Sequence, residues 1–356
     1  LAGTCDAYED AEFVLDVTEI EATESSGLAA SRTRSGVYFT HDDSGTESQI
    51  YSFSLDGALG EAHFLDGGSV VDWEDMAAAP CPESIRTANA IEDCLYIGDI
   101  GDNPRSRSDV RILVIAEPSE GASVQVLETW RLRYPGEPQD SETMLIHPGT
   151  GQITLVSKTW TGTAEVYTAD PPSGDGGEVT LSLVTELSLE DGDPSGSLFT
   201  GGDWDMDGER LVLRTYGQLY LWETDPCEPD AHWGDAPRRM QTTWEWQGEA
   251  ICFDMEGHIL TSSEGSPMPI SRIECSDWIP SEGPCTPEPG GEDTSWDSGL
   301  HHADGESDDP TGSGHPSGSL SSSGSRCGRS AAAPFVFLLW GMGRRSRRRD
   351  HRAWSN

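Results

Sequence analysis

The sequence predicts an all-β chain, a five-bladed β-propeller closed by its N-terminal strand, and three observations predict it. The first is a short unit that recurs five times. Each copy opens on an acidic or hydroxyl residue two positions before an apolar one, with Gly in one copy: Ser26-Gly27-Leu28, Glu74-Asp75-Met76, Glu142-Thr143-Met144, Thr200-Gly201-Gly202 and Glu249-Ala250-Ile251. A second short apolar run then enters a polar, often Gly-containing loop, as in Val37 to Thr40 before His41-Asp42-Asp43-Ser44-Gly45, or Ile259-Leu260 before Ser262-Ser263-Glu264-Gly265.

The second observation is the spacing. From opening residue to loop residue the offset is 17 for Ser26 to Asp43, 16 for Glu142 to Lys158, 14 for Thr200 to Arg214 and 15 for Glu249 to Glu264. Glu74 to Asp99 is longer, at 25, because an excursion bounded by Cys81 and Cys94 interrupts that copy. Openings fall 48, 68, 58 and 49 residues apart, which suits a blade of four short strands in roughly 40 to 50 residues. The turns Asp205-Met206-Asp207-Gly208 and Asp254-Met255-Glu256-Gly257 sit 49 residues apart and make Thr200 the counterpart of Glu249.

The third observation is at the ends of the repeat. Phe13, Leu15, Val17 and Ile20 form an alternating strand before the first copy, whereas the fifth copy runs out of strands near Ile273. The N-terminal strand is therefore expected to complete the last blade, and closure removes exposed sheet edges. No sixth opening is visible in the sequence.

Taken in order, blade one is expected over 26 to 66, with outer strands at Ile50 to Phe53 and Ala62 to Leu65. Blade two covers 72 to 134 and includes the alternating run Val126 to Leu132. Blade three covers 141 to 190 with Val179 to Leu187 at its rim. Blade four covers 200 to 247 and ends in Thr243-Trp244-Glu245-Trp246. Blade five covers 249 to 275. The propeller is assigned to residues 1 to 280, and 281 to 326 to an acidic Gly/Ser/Pro linker that cannot repay the entropy of ordering.

Residues 327 to 356 are expected to form a sorting and anchoring tail. Cys327 precedes an uncharged run, Ser330 to Gly343, that contains Phe335-Val336-Phe337-Leu338-Leu339-Trp340, and then Arg344, Arg345, Arg347, Arg348 and Arg349. The run is short of the roughly 20 apolar residues of an ordinary membrane helix. This arrangement resembles C-terminal sorting signals of the myxobacterial type, which implies processing near Cys327; a plain basic tail is the alternative. Membrane contact is expected through this tail alone.

Charge narrows the partners. Residues 1 to 325 hold 14 of the 22 Lys+Arg and 62 of the 63 Asp+Glu, a formal charge near −48. Phosphate backbones would be repelled, so nucleic acid is excluded as a partner. Such charge either solvates an exported protein or attracts cations. Eight cysteines beside a single lysine suggest an oxidising compartment. Cys81 with Cys94 is the expected pair, Cys275 with Cys285 could close a loop, and Cys5, Cys227 and Cys252 stay unassigned. There is no Cys-x-x-Cys for zinc.

Propeller geometry turns the repeat into a site, because opening and loop residues converge on one channel mouth. Ser26, Glu74, Glu142, Thr200 and Glu249 would line the channel as a ring of metal ligands. Asp42, Asp43, Asp99, Asp102, Asn103, Lys158, Arg214 and Glu264 would surround it as ligand-binding residues. Three carboxylates facing one another repel unless protonated or neutralised. A hard cation with oxygen ligands, Ca²⁺, is the simple remedy; side chains that turn aside, or water, are the alternative. Lys158 with Arg214 could hold a phosphate or carboxylate, or both could be structural ion pairs. Asp42, Asp43, Lys158 and Arg214 are the candidates for any catalysis. Asp203 to Gly208 begins like a calcium loop, but Arg214 stands where a bidentate Glu is needed, so a hairpin turn accounts for it better. No serine-hydrolase elbow, phosphate-binding glycine loop or His-Glu-x-x-His occurs.

The order Ser, Glu, Glu, hydroxyl, Glu, one per blade, resembles the central calcium ring of the five-bladed calcium-activated nucleotidases (apyrases). His41-Asp42-Asp43-Ser44-Gly45 is similar to that family's Asp-Asp loop. The resemblance covers roughly residues 13 to 275 and implies a calcium site without fixing a substrate. Asp72-Trp73-Glu74-Asp75 and Gly98-Asp99-Ile100-Gly101-Asp102-Asn103 also resemble motifs of uncharacterised bacterial secreted propellers. The expectation is an exported, cell-surface or outer-membrane-associated module that binds a small-molecule or surface ligand with calcium in its channel. A calcium-dependent hydrolase of phosphate esters or anhydrides is the alternative, since propellers host both.

Overall fold

The structure is a computed structural model and describes residues 3–43, 48–119, 121, 123–160, 163–188 and 198–280. All of them fall in one compact unit, Leu1–Gly291. The linker and tail expected from the sequence, 281 to 326 and 327 to 356, lie outside the described residues.

The fold is all-β and propeller-like. Each repeat supplies an inner strand rich in Ser, Gly and Ala, and these strands are buried at nearly every residue: Ser25–Ala30, Trp73–Pro80, Ser141–Ile146, Phe199–Trp204 and Gly248–Phe253. Small side chains allow the inner strands to approach, and they pack in chain order with the last returning to the first. A second strand returns antiparallel on each: Val37–Asp42, Asp93–Asp99, Ile153–Ser157, Arg210–Thr215 and Ile259–Ser263. Gly208 and Gly257 occupy the matching turns of the last two repeats at φ 73°, a left-handed backbone that Gly adopts without steric cost.

Outer strands pair in the same order. The last array is completed by Glu12–Val17, which lies antiparallel to Met268–Ile273, so the N-terminal strand supplies the missing fourth strand. The first two arrays merge into one sheet, because the long strand Ser123–Arg133 pairs parallel with Gly60–Asp66 at Ser123 to Gln125. Apolar side chains between neighbouring arrays form the core, for example Leu145, Val156, Phe199 and Leu213.

Several boundaries differ from expectation. The rim strand expected over Val179 to Leu187 is broken at Leu181: Glu178–Thr180 pairs with the preceding array, and Ser182–Leu187 pairs with Ala164–Ala169. The fourth strand of the Thr200 repeat is Arg238–Gln241, so Thr243 to Trp246 forms a link to the next inner strand instead. The Cys81 to Cys94 excursion folds as a helix, Glu83–Asn89.

Cys81 pairs with Cys94 as expected, with a Cα–Cα distance of 4.9 Å. Cys275 pairs with Cys5 and not with Cys285. The cause is long-range: the amide of Glu9 donates to the Glu274 carbonyl and that of Ser276 to the Ala7 carbonyl, which lays the N-terminal segment beside Cys275. Cys227 is also disulfide-bonded, and Cys252 is a buried free thiol. Among the described residues no helix is long and apolar enough to cross a membrane.

Candidate metal centre at the channel mouth

The pairing of each inner strand with its second strand skips one residue, and in every repeat it is the opening residue. Register passes from Ser25 to Gly27, Trp73 to Asp75, Ser141 to Thr143, Phe199 to Gly201 and Gly248 to Ala250. Ser26, Glu74, Glu142, Thr200 and Glu249 are thus the extra residues of five equivalent β-bulges, a device that re-aims a side chain out of the pleat. All five are buried.

Their contacts link them around the mouth. Ser26 Oγ donates to Glu74 Oε2 at 3.5 Å. Lys158 Nζ donates to Glu142 Oε2 and, at 2.8 Å, to Tyr216 Oη, and it lies 5.0 Å from the Tyr216 ring centre. Tyr216 and Gln247 hydrogen-bond to Glu249. Thr200 Oγ1 donates to the Gly248 carbonyl at 2.9 Å and so straps one inner strand to the next.

Burial raises the Glu74 carboxyl well above the usual range, and Glu142 and Asp72 add to it while Lys158 opposes. Glu142 is raised by burial and by Glu249 against the pull of Lys158. Glu249 is raised by burial, with Lys158 opposing. Burial disfavours the Lys158 ammonium, but Glu142 and Glu249 overcome it and the net shift is upward. Fully ionised, the ring and its lysine carry a charge of −2.

The loop residues divide. Lys158 belongs to the mouth. Glu264 stands beside it, accepts from Gln247 and is pushed up to about 7 by burial, then by Glu249 and Asp43. Asp43 is half-buried, and its carbonyl accepts from the amide of Trp73 at 3.0 Å. Asp42 accepts at 2.8 Å from the amides of Thr23 and Glu24 and so braces its own loop. Asp99 accepts at 3.0 Å from the Asp72 amide and from Arg107 Nη1. Asp102 accepts from the amides of Ser106 and Arg107. Asn103 is exposed.

Arg214 does not present its charge to the mouth. It is fully buried, donates to the Ala250 and Ser262 carbonyls, and pairs with Glu245 at 2.6 Å. Its long side chain follows the strand junction because three acceptors await it there, and the Lys158 and Arg214 clamp expected for an anion is not assembled.

Tyr216, Gln247 and Asp140, absent from the expected site, join it, as does Asp72 of the Asp72-Trp73-Glu74-Asp75 motif. Asp140 accepts from the Asp102 amide at 2.9 Å, and Asp72 is raised by burial and by Asp140. A Cβ on Gly101 would collide with Glu74 Oε1 and lie 2.6 Å from the Asp72 carboxyl, so glycine lets this loop lie against the ring. The position of Gln247 two residues before Glu249, and of Tyr216 two after Arg214, is the signal that could have found them.

Beneath the ring lies a second set of carboxylates. Asp75 accepts from the amides of Met76 at 2.8 Å, Met144 at 2.9 Å and Gly202 at 3.3 Å, which come from three inner strands. Asp203 accepts from the Phe253 amide at 2.9 Å.

The donor set of the ring is all oxygen, three carboxylates and two hydroxyls, which suits a hard cation such as Ca²⁺. Among the described residues, one trio of metal-type side chains has its ligand atoms within 4.8 Å of one another: Cys5, Cys275 and Asp277. Two of those atoms are the sulfurs of a disulfide, so no metal is held there. The ring carboxylates do not form such a trio, and Lys158, bonded to Glu142 and Tyr216, supplies positive charge among them.

No protein-family model matches the sequence, and no curated protein matches it. Solved structures do. The PQQ-bound aldose sugar dehydrogenase from Streptomyces coelicolor is 10% identical over 76% of this chain and 99% of that one, with a TM-score of 0.44. A gluconolactonase from Xanthomonas campestris is 12% identical over 77% and 97%, with a TM-score of 0.41. The calcium structure of a Trichoderma reesei carbohydrate-active enzyme is 10% identical over 77% and 97%, with a TM-score of 0.42.

Proposed function

We propose that the chain is a five-bladed propeller with a calcium site in its central channel, acting as a ligand-binding module. One observation supports this reading: Ser26, Glu74, Glu142, Thr200 and Glu249 are the buried extra residues of five equivalent bulges, and fully ionised they carry with Lys158 a charge of −2. These five residues would hold Ca²⁺. Bound there, the ion would offset the carboxylate charge and offer an oxygen-bearing ligand coordination positions facing the mouth. Around it, Asp43, Asp72 and Glu264 keep the approach acidic.

The ligand is a small molecule or a surface group, and nucleic acid is disfavoured by charge. The Cys5–Cys275 and Cys81–Cys94 disulfides, with Cys227 also disulfide-bonded, support export to an oxidising compartment. The hydrophobic and basic tail supports attachment to the cell surface or outer membrane. The likeness to calcium-activated nucleotidases rests on the ring and the Asp42-Asp43 loop. Calcium-dependent hydrolysis of phosphate esters or anhydrides is the weaker reading, because Arg214 is held by Glu245 and, among the described residues, Lys158 is the basic side chain bonded to a ring carboxylate.

Calcium titration with thermal melting tests the proposal. A ligand that binds only the native ring at a hundred times its Kd stabilises by about 2.7 kcal/mol. For a domain of this size that is a rise of about 5–10 °C, reversed by EDTA. An unchanged melting temperature, with no heat of binding, would remove calcium from the channel.

A further inference from the structure

We infer that Lys158 is the resident cation of the ring, exchanged for the divalent ion when calcium binds, so that this one residue sets the calcium affinity of the site. The inference rests on the calcium reading above.

Lys158 is the single lysine in a chain whose other basic residues are arginine. The two are not interchangeable. An ammonium is a compact point charge on a flexible stem, free to pivot, whereas a guanidinium is a rigid planar fork. Arg214, at the matching loop position of the next repeat, shows the fixed behaviour: it is fully buried with three acceptors. Lys158 and Glu142 retain 11% and 8% side-chain exposure, so their pair sits at the lip of the channel.

Its ammonium donates to two partners at once. One is Glu142, a ring carboxylate. The other is Tyr216, which presents a hydroxyl at 2.8 Å and a ring face 5.0 Å away, a setting that accepts a cation. An ion bound by Glu142 and Glu249 would repel an ammonium on the same carboxylate. Giving up Glu142 while keeping Tyr216 relieves that repulsion without expelling the lysine to solvent. In the metal-free protein the ammonium offsets one of three carboxylate charges, and Tyr216 relays its hydrogen bond to Glu249. Lys158 therefore keeps the empty ring from flying apart and competes with the ion that replaces it.

The test uses calcium chloride alone. Isothermal titration of wild type, Lys158→Met and Lys158→Arg should give Lys158→Met an affinity higher by about 10-fold or more, since one competing unit charge is removed at short range, and a metal-free melting temperature below wild type. Lys158→Arg keeps the charge but not the pivoting ammonium, so it should bind calcium no more tightly than wild type. Because the chain has one lysine, a protein labelled at lysine Cε gives one lysine resonance, which should move on calcium saturation as the ammonium gives up Glu142 and keeps Tyr216. This readout needs no variant to fold. Equal or weaker binding by Lys158→Met, or a lysine resonance unmoved at saturation, would overturn the inference and leave the calcium site standing. Absence of binding by both wild type and Lys158→Met would remove the site and the inference together.

Discussion

Two layers of carboxylates share the channel and are balanced by opposite means. Asp75 and Asp203, in the lower layer, are raised by burial yet surrounded by main-chain N–H donors from neighbouring inner strands. Glu74, Glu142 and Glu249, one layer up, receive few such donors because the bulges turn them away from the backbone ladder. Lys158, Tyr216 and Gln247 attend them instead. A buried acid satisfied by amides is a structural tie, whereas one that lacks them calls for a cation. Adjacent residues, Glu74 and Asp75, therefore have different roles, decided by which partners each meets.

The largest effect is expected at Asp75. Asp75→Ala leaves the amides of Met76, Met144 and Gly202 without their acceptor, and at about 1–3 kcal/mol per unsatisfied buried group the loss should reach about 3–5 kcal/mol. Urea unfolding measures it. Calcium affinity of the folded fraction should be unchanged, and a lost calcium response would place Asp75 in the upper layer.

Glu142→Gln and Glu249→Gln should do the reverse. Each removes a charge but little volume, so calcium binding by titration calorimetry should weaken about 10-fold or more while the metal-free fold is retained. Substitutions that unfold the metal-free protein would make these residues ties like Asp75.

A pH series sharpens the contrast with a smaller effect. Glu142 is pushed up to about 8 by burial and by Glu249. A carboxyl whose folded value lies above its unfolded value contributes stability that is present below the unfolded value and lost as pH rises through the folded one. The metal-free melting temperature should therefore rise as pH falls from about 8 toward the ordinary carboxylate range. The added stabilisation by calcium should shrink over the same interval as protons compete for the ligands. A metal-free protein that loses stability over that fall would mean the ring is ionised and paired.

The smallest effect is expected at Thr200. Its hydroxyl already donates to the Gly248 carbonyl, so Thr200→Val should cost about 1 kcal/mol and shift calcium affinity less than either Glu variant. An equal shift would make the hydroxyl a ligand first and a strap second.

The repeat was legible because strands leave a local mark. Alternation, turn glycines and a nearly constant offset come from a few residues each, and they placed the inner strands and the N-terminal strand that completes the last array. The opening residues were legible for the same reason, since a bulge recurring in each repeat leaves its residue at the same offset. Ring contacts were less so. Lys158 is marked by being the one lysine and Tyr216 only by its place two residues after Arg214, while Asp75 sits beside Glu74 without a sign that its partners are amides.

The all-β class, the repeat, the order of the inner strands and the acidic, hydroxyl-bearing positions at their openings are set by the sequence alone, because each strand and turn leaves its apolar alternation or glycine within a few residues and the unit recurs along the chain. Only the tertiary structure decided that Cys275 pairs with Cys5, that Arg214 is drawn to Glu245 while Lys158 stays at the mouth, and that Glu74 and Asp75 part ways. Those outcomes join residues tens to hundreds of positions apart. They are set by which acceptors and charges meet when the ring closes, a geometry that no short stretch of chain contains.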